Sequence, residues 1–114
     1  MKRYRVEITR SAENEIGQAF AYAASRAPLA AERWYNRLMK DLEALEVVPN
    51  GYPLAPESKF VPERVRQLRF GRKPNYWRVL FIVRRATVYV IHFRRGARQR
   101  MDAEDLRIPD QTDD

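Results

Sequence analysis

Two stretches, residues 76–83 and 87–93, constrain what this 114-residue chain can fold into more than any other feature. Both are rich in β-branched and aromatic residues, and only Arg84-Arg85-Ala86 separates them, which predicts a β-hairpin. In the first run Trp77, Val79, Phe81 and Val83 fall on one side, and Tyr76, Arg78, Leu80 and Ile82 on the other. A strand that is apolar on both faces needs cover on both.

Cover for one face is readable upstream. Tyr4, Val6 and Ile8 alternate with Arg3, Arg5, Glu7 and Thr9, the period of a half-buried strand. Ser11 reads as a helix N-cap, with Glu13 and Glu15 near the positive helix end. Ala12, Ile16, Ala19, Phe20 and Ala23 then recur at helical spacing. Pro28 suits the first position of a second helix, whose apolar stripe is Ala31, Trp34, Tyr35, Leu38, Leu42 and Leu45. That helix stops near Val48, ahead of Pro49-Asn50-Gly51. Two helices joined so tightly form an antiparallel hairpin. Residues 49–63 hold four prolines and read as a surface loop without regular structure, followed by a strand over 65–70 and a turn at Gly71. The helical hairpin covers one face of the sheet only. The other face then presents an apolar strip rimmed by arginine, a docking surface, unless the C-terminal tail folds back over it.

Charge narrows the partners. Residues 64–100 carry 12 basic and no acidic residues, residues 1–63 carry 9 of each, and residues 101–114 carry 1 basic and 6 acidic. A basic block of that kind points to a phosphate backbone or an acidic partner, against the plain alternative of a solvated surface. The absence of cysteine excludes disulfides and thiolate chemistry, and a single histidine, His92, excludes a His-pair metal motif. No cofactor or metal is expected. No apolar run reaches the ~18 residues of a membrane span, and the N-terminus lacks a signal-peptide pattern. The expected setting is cytoplasmic, with no membrane partner. Length and apolar content fit one domain over 1–101 and an acidic, partly disordered tail over 102–114.

The order strand, helical hairpin, proline loop and three strands resembles the RelE/ParE superfamily of type II toxin–antitoxin toxins, known also as plasmid stabilisation proteins. The resemblance runs over about residues 4–100. It rests on Tyr4-Arg5-Val6-Glu7-Ile8-Thr9-Arg10-Ser11-Ala12-Glu13, on Ala30-Ala31-Glu32-Arg33-Trp34-Tyr35-Asn36-Arg37-Leu38, and on Pro53-Leu54-Ala55-Pro56-Glu57. Val65-Arg66-Gln67-Leu68, the stretch 71–79 and Gly96-Ala97-Arg98 complete it. It implies an α+β fold: a four-stranded antiparallel sheet with the N-terminal helical hairpin packed on one face. It also implies a cognate antitoxin from the same operon that wraps and silences the toxin in a hetero-oligomer, and the basic block of residues 64–100 predicts that this antitoxin is acidic.

Two activities occur in the superfamily: inhibition of DNA gyrase without cleavage, and ribosome-dependent cleavage of mRNA. Trp34-Tyr35 and the Pro-Leu-Ala-Pro loop look more like the ParE branch. Arg95 stands where many such proteins have His before Gly-Ala-Arg. Cutting RNA through its 2′-OH needs proton-transfer groups as well as phosphate-gripping arginines. The resemblance aligns Arg78 and Arg98 with basic residues of the RNA-cleaving branch, and Arg66 joins them as a candidate. The Tyr or His that branch commonly carries after the last strand is missing from residues 99–104. His92 shares a strand face with Val88 and Val90 by alternation and reads as structural. Candidate target contacts are Arg66, Arg69, Arg72, Lys73, Arg78, Arg95, Arg98 and Arg100. Candidate antitoxin contacts are Tyr76, Leu80, Ile82, Arg84 and Arg85. Three readings stand: a gyrase-binding toxin, an mRNA endonuclease and a nucleic-acid-binding module without toxicity.

Overall fold

The computed structural model describes residues 2–72, 75–96 and 101–109. Strand β1 (Arg5–Ile8) leads into α1 (Arg10–Arg26) and α2 (Pro28–Glu43). Strands β2 (Arg66–Phe70), β3 (Trp77–Arg84) and β4 (Thr87–Arg95) follow, and a single turn of helix, α3 (Ala103–Leu106), comes last. The sheet order is β1-β4-β3-β2.

The sheet is mixed rather than wholly antiparallel. β2, β3 and β4 pair antiparallel, but β1 lies parallel to β4, with Arg5 opposite Thr87 and Ile8 opposite Val90. Alternation in a sequence marks a strand's faces and carries no direction. β1 has no hairpin partner, so its neighbour is whichever edge the later hairpin presents after the intervening helices.

The N-cap of α1 is Thr9, not Ser11: Thr9 Oγ1 accepts from the Ala12 backbone N–H at 3.3 Å. Ala27, forced out of the helical region by the proline that follows, separates the two helices at φ −150° and ψ 83°. Leu38, Leu42 and Leu45 then meet Ala12 and Ile16 of α1 and Val79, Phe81, Val88, Val90 and Phe93 of the sheet in one apolar layer. Trp34 packs edge-on to Phe70, Trp77 and Phe93 in that layer. Tyr35 leaves the stripe and sits half-exposed against Phe20.

The second face is also covered. Leu80, Ile82, Tyr89 and Ile91 pack with Ala55 and Val65 and with Met101 and Leu106 of the tail. The expected exposed strip is therefore absent, and the fold-back alternative holds. The unit extends past residue 101, because Leu106 has no exposed surface; residues 110–114 lie outside the described residues. The proline loop is not wholly on the surface either. It forms short 3₁₀ turns at Pro49–Gly51 and Pro56–Phe60, bridges Leu54 to Arg66, and buries Ala55 and Glu57.

β3 and β4 slip register: Leu80 pairs with His92 and Phe81 with Val90, leaving Ile91 as an extra residue in β4. Such a bulge interrupts the period of two and moves His92 off the Val88–Val90 face.

Candidate functional site

The arginines of residues 64–96 do not form one surface. Arg78, in the middle of β3, is 2% exposed. Its Nη2 donates to Glu57 Oε1 and its Nε to Gln67 Oε1 at 2.9 Å. Glu57 is fully buried, and its Oε2 accepts the Met101 backbone N–H at 3.1 Å. Burial pushes the Glu57 carboxyl up. The Arg78 hydrogen bond, backbone donors and the guanidinium charge outweigh that and hold it below its ordinary value. An arginine committed to an interior carboxylate is not available to a phosphate or a partner, so the expectation that Arg78 faces a basic surface is corrected.

Arg66 donates from Nη1 to the Tyr52 carbonyl at 2.7 Å and is half-buried. Arg84 grips both oxygens of Glu63, at 2.7 and 2.8 Å, and reaches the Pro109 carbonyl at 2.9 Å. Leu80 and Ile82 have no exposed surface, so they offer no antitoxin contact while the tail is in place. Arg85 is exposed in the β3–β4 turn at φ +53°. Arg69 is exposed over the ring of half-buried Tyr76, 4.8 Å from its centroid. Arg72 is exposed after Gly71, whose φ of +97° suits glycine and ends β2. Arg95 is exposed over the Trp77 ring. Lys73, Arg98 and Arg100 lie outside the described residues.

A second polar cluster joins α1, β4 and the tail. Glu15 accepts from the Phe93 backbone N–H and from Arg94 Nε, both at 2.9 Å, and His92 Nδ1 lies 3.2 Å from each of its oxygens. His92 Nε2 lies 2.5 Å from the Leu106 carbonyl. Burial pushes the Glu15 carboxyl up, but His92, the Phe93 amide and Arg94 hold it below its ordinary value. With both ring nitrogens engaged and 2% exposure, His92 is a structural residue.

Sequence reasoning missed Glu57 and Glu15 as partners. The one available signal was charge: an arginine inside an apolar strand needs a carboxylate, and residues 64–100 contain none. The donor had to come from another block. Among the described residues no group of three or more His, Cys, Asp or Glu side chains is placed to hold a metal ion. No described helix is long and apolar enough to cross a membrane.

Open surface occurs on the helical side, among other places. The hairpin tip exposes Tyr22 at 61% and Leu29 at 72%. A groove of about 450 Å³ runs from Gln18 and Tyr22 to Trp77 and Arg95. A cleft of about 630 Å³ lies between α2 and the β2–β3 connection, with Trp34 and Trp77 among its lining residues.

Comparison with known proteins agrees with this architecture. A solved chain of a chromosomal ParDE TA system from P. aeruginosa superimposes with a TM-score of 0.67 at 20% identity, over 82% of this chain and 96% of that one. At that identity the likeness is one of fold. No curated protein matches the chain. The family model for the ParE toxin of the type II toxin-antitoxin system parDE matches residues 6–100, from within β1 to beyond β4. The chain therefore belongs to the ParE toxin family of type II toxin–antitoxin systems.

Proposed function

We propose that this chain stops growth by binding DNA gyrase in the cytoplasm without cleaving nucleic acid, and that an acidic antitoxin from the same operon neutralises it. The family match over residues 6–100 carries the reading. The choice of gyrase over mRNA cleavage rests on the chemistry of the interior. Arg78, Glu57 and His92 are engaged with one another's neighbours beneath the tail, and none is presented to a 2′-OH.

The contact falls on the exposed cations Arg69, Arg72 and Arg95, and its apolar part on the hairpin tip at Tyr22 and Leu29. An acidic, amphipathic antitoxin segment suits the same surface, since charge speeds encounter and apolar contact holds the complex.

The test is a pair of incubations with purified chain. Supercoiling by gyrase is expected to fall, while mRNA on translating ribosomes keeps its ends. Discrete codon-specific cuts with supercoiling intact would reverse the assignment.

A further inference from the structure

The cleft between α2 and the β2–β3 connection brings exposed cations together with two indole rings. Three arginines of the sheet are neutralised: Arg78 by Glu57, Arg84 by Glu63, Arg94 by Glu15. In this cleft Arg37, Lys40 and Arg72 are exposed, and none of them forms an ion pair among the described residues. One carboxylate, Asp41, shares the cleft, so its described side chains carry a net charge of +2. The spacing of Trp34, Arg37 and Asp41 along α2 brings all three to one helix face.

Between these charges lie Trp34 and Trp77, the only tryptophans of the chain. They meet edge to face at 6.2 Å, and Trp77 stacks flat on Phe93 at 4.5 Å, so packing from the core side fixes both indoles. Both stay half-buried and line the cleft, Trp77 also lining the groove beside α1 and lying under Arg95. The volume, about 630 Å³, is that of a small-molecule site.

From these residues we propose that the cleft binds a nucleoside phosphate, with the base against the indoles and the phosphate among Arg37, Lys40 and Arg72. The cations demand an anion, and the fixed rings favour a flat aromatic group. Asp41 gives an acceptor for a base amino group or a sugar hydroxyl, a role inorganic phosphate cannot fill. The ligand is either a free nucleotide or one nucleotide of a single strand. This site shares Arg72 with the surface assigned to gyrase but is otherwise built from α2 and the two indoles, and its test does not involve gyrase.

Fluorescence titration is direct, because both tryptophans line the cleft. The probes are a nucleoside 5′-monophosphate, the matching nucleoside, a 5′-phosphorylated single-stranded oligonucleotide, inorganic phosphate and an acidic peptide without aromatic residues. A saturable change with the nucleotide is expected, at least tenfold tighter than with the nucleoside or inorganic phosphate. Arg37→Gln and Arg72→Gln, both exposed, are expected to weaken it at least threefold with unchanged melting. Tighter binding of the oligonucleotide identifies a strand as the ligand; equal or weaker binding identifies the free nucleotide. If a strand engages all three cations, log affinity falls with log salt at a slope of about −2, and each arginine variant lowers that slope by about 0.7. The proposal fails if millimolar nucleotide gives no saturable change, if both arginine variants bind normally, or if the acidic peptide binds as tightly.

Discussion

Arg78→Met tests the interior ion pair most sharply. The substitution keeps an unbranched apolar stem of similar length and removes the guanidinium, leaving the carboxylate of Glu57 without its charge partner in a site with no exposed surface. Met101 N–H still donates to Glu57, and Gln67 loses its donor. Breaking a buried pair from one side costs about 3–5 kcal/mol. That is a large share of the roughly 5–15 kcal/mol that holds a small domain together. For a domain of this size each kcal/mol moves the melting temperature by about 3–6 °C, so a fall of roughly 10–25 °C is expected. Adding Glu57→Gln removes the orphaned charge while keeping an acceptor for Met101, and is expected to restore most of the loss. Thermal melts of wild type, both single variants and the double variant complete the cycle. Loss of toxicity in Arg78→Met is expected to follow loss of folded protein. The reasoning fails if Arg78→Met melts within about 3 °C of wild type, or if the double variant is no better than the single.

Other expectations follow from the same geometry. Glu15 and Glu57 have lowered pKa values when folded, so their contribution is complete above the ordinary value of 4.5 and is lost as pH falls below it. Melting followed from pH 7 to 3 is expected to show a decline below 4.5, with a smaller slope in Glu57→Gln. Leu106→Ala, at a fully buried tail position, is expected to cost about 2–5 kcal/mol in denaturant unfolding, whereas a dispensable tail would give no change. Association with the antitoxin is expected to slow as salt rises; a salt-independent on-rate would remove the electrostatic part of the surface assignment.

Much of the architecture was legible because local rules determine it. The alternation of Tyr4, Val6 and Ile8, the stripe through Leu38, Leu42 and Leu45, and the two-sided apolarity of 77–83 each name an element and its faces. Strand direction was not legible, since β1 finds β4 across more than seventy residues. Nor was the side of His92, because the bulge at Ile91 breaks the alternation from which it was read. The candidate site fared worse for a related reason. An arginine in a strand reads the same whether its partner is water or a glutamate twenty-one residues away, and Glu57 sits in a proline-rich stretch that looks like surface.

The basic block changes meaning once its partners are placed. Read alone, residues 64–100 repel themselves and call for an outside anion. In the folded chain three of those arginines take carboxylates from the first 63 residues: Glu15 for Arg94, Glu57 for Arg78 and Glu63 for Arg84. These pairs tie the helical hairpin and the proline loop to the sheet. They also fix the tail, since Glu57 holds Met101 and Arg84 holds Pro109. Segregating charge along the sequence thus favours long-range pairing over pairing within one element, and part of the bias serves the fold. The demand for an outside anion contracts to the cations without ion pairs among the described residues, Arg64, Arg66, Arg69, Arg72 and Arg85 within the block, with Arg37 and Lys40 joining Arg72 from α2. Partner recognition is to be sought along that rim and the adjoining helices, not on the sheet face that the tail already occupies.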